Sequence, residues 1–392
     1  MSAVTISSRP SLQGGFSLVE ILVGVAVGLV GILAISQAFS TNESIKRSTS
    51  GVGMSQANGA VAMYTLERDI RMGGYGFAQK DALNCSSLAS IQWFNNGLYS
   101  STAGGTLAAI KMAPVAILDG TAGGTPDTIT VTYGTDEKAL IPGLVASAPP
   151  AGQILVTANY GFDTNDLFLI AQPGACSMYN VTAPVAGDTA SIIRIATGVS
   201  GPFNPTNPAA YTPYVPNTSI IMNLGQLVVN RYDIVASDLR VTPMFTNIGV
   251  AGQLPTYSNQ PQIIGNDIVD LKAYYGKDLT QNFSAPPAIV AGTPLTLTWD
   301  KTTPTAADGW AQVRVVKVAL LARSGNFEKP GASGVCTATK AGDLSLKFNN
   351  PTISSAPEND SFNVIPGGLP SCYKYRAFEA TIPIRNLIWR NA

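Results

Sequence analysis

The first pattern along the chain is a long apolar run set against a polar, loop-rich remainder. From Ile21 to Asn42 there is no charged side chain and no proline. Read as a helix, about 22 residues at 1.5 Å each reach roughly 33 Å, enough to cross a bilayer. Glu20 stands at the mouth of this run, in the stretch Gly14-Gly15-Phe16-Ser17-Leu18-Val19-Glu20. No proline falls between Pro10 and Pro114, so the helix can continue beyond the membrane. Met54, Ala57, Val61 and Tyr64 recur three and four positions apart, which predicts an apolar stripe that packs on a sheet. Glu67 and Arg71 form an i,i+4 pair on a solvated face, and Gly73-Gly74 ends the helix. Gly51, Gly53 and Gly59 count against a helix here, each costing up to about 1 kcal/mol relative to alanine.

After Gly74 the period shortens. Asp127 to Tyr133 places Ile129, Val131 and Tyr133 on one face of a strand, and Asp166 to Gln172 is a continuously apolar strand. Asn96-Gly97 predicts a hairpin turn. Further strands are expected at 268–275, 313–322 and 373–384. The proline-rich stretches 201–217 and 284–294 read as surface connectors, with Tyr211 and Tyr214 available for contacts.

Composition narrows the chemistry. Only 12% of residues are charged, Gly (38) and Pro (26) are abundant, and Lys plus Arg equals Asp plus Glu at 24 each, so no broad nucleic-acid footprint is evident. There is no histidine, which removes Ser-His-Asp and Cys-His catalysis within this chain and the commonest metal ligand. Asp163-Thr164-Asn165-Asp166 begins like a calcium loop but lacks its glycine and distal glutamate. No catalytic residue, metal site or cofactor is assigned. Cys85, Cys176, Cys336 and Cys372 have no C-x-x-C spacing and read as structural disulfides of an oxidising compartment. Three connectivities are open, with Cys336–Cys372 favoured because the pair flanks one excursion before the final strand.

Three readings compete at the N-terminus. A secretory signal peptide with Ser36-Gln37-Ala38 as cleavage site is disfavoured by Glu20 and a leader whose single basic side chain is Arg9. A plain anchor leaves Glu20 unexplained, since a carboxylate in lipid is costly and marks a function. The third reading is a resemblance: Gly15-Phe16-Ser17-Leu18-Val19-Glu20 resembles the class III signal of type IV pilins and secretion pseudopilins. That resemblance implies cleavage by prepilin peptidase between Gly15 and Phe16, N-methylation of Phe16, and retention of the apolar helix. It also implies that Glu20 of one subunit meets the new amine of a neighbour, a pairing that offsets the burial of both charges and rewards correct register. Gly24 and Gly28 form a G-x-x-x-G pattern suited to close helix packing.

Thr65 to Ala78, "TLERDIRMGGYGFA", resembles the end of the first helix in PilW-type minor pilins, as do "DTITVTYG", "DIVDLKAYYGKD", "WAQVRVVKVALLARSG" and "YRAFEATIPIRN" in their order along the chain. The fold this implies is α+β and pilin-like: a leader over 1–15, a helix over 16–72 that spans the membrane at about 18–40, and a β-rich periplasmic or extracellular domain over 73–392. The implied role is a minor pilin that joins a complex priming pilus assembly at or near the tip. Its implied partners are prepilin peptidase, other minor pilins, a tip adhesin, the inner-membrane assembly machinery and, before assembly, lipid. A secretion pseudopilin and a pilin-like surface adhesin or carbohydrate-binding module remain the alternatives.

Overall fold

The computed structural model describes residues 15–86, 91–95, 98–100, 112–120, 125–138, 141–147, 152–157, 161–173, 175–195, 203–204, 215–246, 256–257, 260–283, 297–328, 330, 334, 336, 338 and 372–388. Tyr211, Tyr214, the tip Asn96-Gly97 and the connector 284–294 lie outside them.

Helix α1 runs unbroken from Leu18 to Met72. Its first 30 residues, 18–47, are exposed along their whole length, and burial begins only near Gly51. The termination is local chemistry: Gly73 N–H bonds to Ile70 O, Tyr75 N–H to Met72 O, and Gly74 takes φ +80°, a left-handed conformation in which a Cβ would be strained.

The buried face of α1 is the opposite of the one its large side chains predict. Met54, Val61 and Tyr64 are 53%, 59% and 69% exposed, and Ala57 is exposed with them. The domain is met by Gly51, Ser55, Gly59, Ala62, Met63, Leu66, Asp69 and Ile70. The reason is proximity. A Cβ on Gly59 would lie 2.1 Å from Cε2 of Phe378, so at this level the helix can rest on the sheet only because no side chain intervenes. Two of the three glycines that weaken the helix by propensity, Gly51 and Gly59, are the ones that let it dock.

Beyond the helix come α2 (Lys80–Leu83), β1 (Ile91–Asn95), β2 (Leu98–Ser100), β3 (Val115–Leu118), β4 (Thr128–Gly134), β5 (Gly143–Ser147) and β6 (Gln153–Val156). Next are β7 (Leu167–Gln172), β8 (Ala175–Asn180), β9 (Ile192–Arg194), β10 (Ile220–Gly225), β11 (Leu227–Val235) and β12 (Asp238–Pro243). The chain continues with β13 (Phe245–Thr246), β14 (Thr256–Tyr257), β15 (Gln262–Gly265), β16 (Ile268–Lys277), β17 (Thr298–Asp300) and α3 (Ala307–Gln312). It closes with β18 (Val313–Arg323), β19 (Tyr375–Pro383) and α4 (Arg385–Ile388).

These strands form an eight-stranded sheet (β2-β1-β8-β7-β10-β5-β6-β9), a five-stranded sheet (β15-β12-β11-β4-β3), a four-stranded sheet (β17-β16-β18-β19) and the short β13-β14 ribbon. Among the described pairings all are antiparallel except β1 on β8, where Ile91 faces Cys176. The strands expected from alternation are present: β4 buries Ile129 and Val131 while Tyr133 is half-buried, and β7 buries Leu167 to Ala171 continuously. β1 and β2 pair antiparallel with Asn95 opposite Leu98, on either side of the turn dipeptide. The architecture is thus a long N-terminal apolar helix followed by an antiparallel β-rich domain.

One continuous core joins the helix residues Ala62, Leu66 and Ile70 to Val131, Val229, Leu271, Val318 and Ile382 from the five- and four-stranded sheets. Asp127, fully buried at the start of β4, accepts from Ala273 N–H at 2.8 Å and pairs with Lys301 at 3.1 Å, tying those two sheets together. Disulfides join Cys85 to Cys176 and Cys336 to Cys372. The second is the pairing favoured from the sequence.

Candidate processing and assembly site

The chemistry-bearing segment lies at the start of α1. Ser17, with φ −72° and ψ 148°, is the N-cap: its Oγ accepts from Glu20 N–H at 3.2 Å, and its carbonyl accepts from Ile21 N–H at 3.1 Å. The helix therefore begins at Leu18, two residues later than the start expected at Phe16. Gly15 and Phe16 lie outside it in irregular backbone, with Phe16 79% exposed. The Gly15–Phe16 bond is accordingly accessible and free of helical hydrogen bonding, the state a protease needs in order to bind a chain in extended form. Ser17-Leu18-Val19-Glu20 fits the S-x-x-E spacing of a capping box, a signal present in the letters that the membrane-run reading passes over.

Glu20 sits in the first helical turn, where a negative charge meets the positive end of the helix dipole. No side-chain partner reaches its carboxylate among the described residues, and it points outward with the rest of the segment. Among the described residues, no atom lies within 4 Å of the place a Cβ on Gly24 or Gly28 would occupy, so none of them demands glycine there. By length and composition α1 contains a segment able to cross a membrane, and none of that segment is buried against the domain.

At its other end the helix is locked by a charged residue that the apolar spacing does not single out. Asp69, 2% exposed, accepts from Tyr232 Oη at 2.5 Å and Asn230 Nδ2 at 2.7 Å, both on β11. Burial, followed by the nearby Asp69 charge, pushes the Tyr133 phenol up to about 12 and the Tyr232 phenol higher still, so both stay neutral donors. Arg71 and Glu67 pair on the outer face, as their spacing predicts. The Arg-Asp-Ile-Arg segment is therefore a latch between helix and sheet.

The remaining candidates resolve into structural roles. Asp163 pairs with Lys138, and Asp166 Oδ2 accepts from Asp163 N–H at 2.8 Å and from Asn223 Nδ2 at 2.7 Å, so these carboxylates are engaged within the protein. Among the described residues no group of three or more metal-ligating side chains converges.

No curated protein matches the chain significantly. Among solved structures, a type IV-like pilin from Thermus thermophilus matches with 10% identity and a TM-score of 0.32, covering 85% of this chain and 96% of that one, a likeness too loose to bear an argument. Family models are more specific. Residues 237–386, which contain the β16, β18 and β19 sheet on which α1 rests, match type IV pilus-assembly protein W, and residues 10–36, which contain Gly15, Phe16 and Glu20, match the prokaryotic N-terminal methylation motif. With the helix and the β-rich domain in place, these two matches make the chain similar to a PilW-type pilin over residues 237–386 and to proteins with a class III signal over residues 10–36.

Proposed function

We propose that this protein is a type IV pilin, a minor subunit that joins other minor pilins in a complex priming pilus assembly and stays at or near the tip. It is processed by prepilin peptidase between Gly15 and Phe16 and methylated on Phe16. Before assembly it is anchored in the inner membrane by α1, with its N-terminus cytoplasmic and residues 73–392 periplasmic. Glu20 then pairs with the N-terminal amine of a neighbour.

The observation that carries this reading is the division of α1. Residues 18–47, roughly 45 Å of helix, are exposed, while the rest of the same helix is fixed to the domain by Asp69 and its buried face. An apolar rod held rigidly outside a domain requires a bilayer first and other helices afterwards. The role of the domain is contact rather than catalysis, and no residue is given a catalytic part.

Mass spectrometry of the mature protein tests the processing step: N-methylated Phe16 is the expected first residue, and a start at Phe39 would remove the pilin reading. For the assembly step, Glu20→Ala is expected to be cleaved normally yet to be lost from sheared pili and from complexes with other minor pilins. Normal incorporation would refute the charge pairing. Loss of surface pili on deletion, with secretion intact, separates this role from that of a secretion pseudopilin.

A further inference from the structure

Between the end of the apolar run and the first buried helical residue, the domain sends a tip back along α1. The turn after β18, residues 324–328, lies beside helix residues 40–48 and leaves a groove of about 280 Å³ between Ser40, Ser44 and Ser48 on one side and Asn326, Phe327 and Glu328 on the other. Phe327 is 53% exposed on this tip, its ring edge-on to Tyr373 at 5.6 Å, and the Arg323 guanidinium lies over Tyr373 at 4.6 Å.

The tip is braced rather than loose. Glu328 N–H bonds to Cys372 O at 2.8 Å, Ser324 N–H to Lys374 O at 2.7 Å, and Cys372 is held by its disulfide to Cys336. Lys374 reaches Glu328 at 3.1 Å and donates to Ser48 Oγ of the helix. Arg323 pairs with Asp267 and Arg47 with Glu43.

Depth decides what this tip meets. If Leu18 to Phe39 fills a hydrocarbon core about 30 Å thick, the headgroup layer adds roughly 5–7 Å on each side, which is the rise of helix residues 40 to about 44. Phe327 stands alongside that turn. An exposed phenylalanine ring, backed by the half-buried Tyr373, at that depth has the chemistry of a membrane-interface anchor.

We propose that Phe327, backed by Tyr373, forms a foot by which the domain rests in the phospholipid headgroup layer before assembly. The foot fixes the tilt of the domain over the bilayer, and extraction into a filament lifts it off. The proposal rests on the reading of α1 as membrane-spanning, so its test must separate the two.

The test uses the full chain reconstituted in vesicles of phosphatidylethanolamine and phosphatidylglycerol, with and without brominated acyl chains, and compares Phe327→Trp, Val30→Trp and Ile141→Trp with the parent protein. Val30 lies in the membrane run and Ile141 is exposed on the domain. The added emission of Val30→Trp should be lost to the bromolipid, that of Phe327→Trp should be blue-shifted and partly lost, and that of Ile141→Trp should be unaffected. Quenching at position 30 with position 327 behaving like 141 overturns the foot. Absence of quenching at 30 overturns the membrane reading itself. A Phe327→Trp signal that depends on protein density and not on bromine overturns the lipid assignment in favour of a second copy. Near-ultraviolet circular dichroism matching the parent confirms that each variant is folded.

Discussion

Replacing Gly59 with alanine isolates the contact that seats the helix. Two opposite effects act at this position. Alanine in a helix interior gains about 1 kcal/mol over glycine. Its Cβ, however, would lie 2.1 Å from Cε2 and 2.6 Å from Cδ2 and Cζ of Phe378, so the whole ring must swing or the helix must rise. Overpacking of this kind costs about 1–3 kcal/mol. Gly53, exposed and with nothing within 4 Å, supplies the matched control, because there alanine gains propensity and meets nothing. The propensity gain cancels between the two variants, and Gly59→Ala should be less stable than Gly53→Ala by the overpacking cost alone. With an unfolding entropy near 2.1 cal/mol/K per residue over about 300 residues, that difference separates the two melting temperatures by roughly 2–5 °C. Thermal unfolding of the full chain in detergent, followed by circular dichroism, reads it directly. Adding Phe378→Leu should recover most of the loss. Equal melting temperatures for the two alanine variants would refute the close-approach explanation and return Gly59 to an accident of sequence.

Other substitutions probe other links. Asp69→Ala strands the Tyr232 hydroxyl and the Asn230 amide in the interior and should cost about 3–5 kcal/mol in denaturant unfolding, while Asp69→Asn keeps part of the network; a loss under 1 kcal/mol would dismiss the latch. Hydrogen bonds from Arg194 and from Val185 N–H hold the Asp188 carboxyl down to about 2 from its ordinary 3.8. Because the folded value is depressed, the stabilisation is complete above the ordinary carboxylate range and is lost as pH falls through about 2. A carboxyl NMR titration midpoint near 4 in the parent protein, unchanged by Arg194→Gln, would contradict this. Replacing Cys85 and Cys176 with serine opens a loop with a sequence separation of 91 and should cost up to about 4–5 kcal/mol by chain entropy, measurable against the Cys336–Cys372 pair, whose separation of 36 predicts a smaller loss.

What the letters revealed depended on whether a feature is periodic. The apolar run, the strands at 128–134, 167–172, 268–277, 313–323 and 375–383, and the glycine stop after Met72 all repeat or punctuate locally, and each is found in the structure. The docking face of α1 was read backwards because a hydrophobic stripe is weighted by large side chains. Here the sheet comes so close over residues 51–62 that the true face there is glycine, serine and alanine, giving way to Met63, Leu66 and Ile70 only in the last turns. Asp69 was hidden for a related reason: an acid between two arginines looks solvated, and its three-dimensional partners Asn230 and Tyr232 are more than 160 positions away. At the processing segment Gly15, Phe16 and Glu20 were evident as a motif. The cap donated by Ser17 was equally present in the spacing, but the length of the apolar run drew the reading away from how its first turn begins.

The parallel contact of β1 with β8 sets an order on maturation. Antiparallel neighbours can close through a tight turn as the chain emerges, whereas a parallel pair needs a long connection, and Ile91 cannot meet Cys176 until the intervening strands have formed a platform. Cys85, six residues upstream of β1, is joined to that same Cys176. The disulfide and the β1–β8 pairing thus converge on one residue, so the chain entering the β1–β2 ribbon is fastened covalently to the same strand that its backbone pairs with.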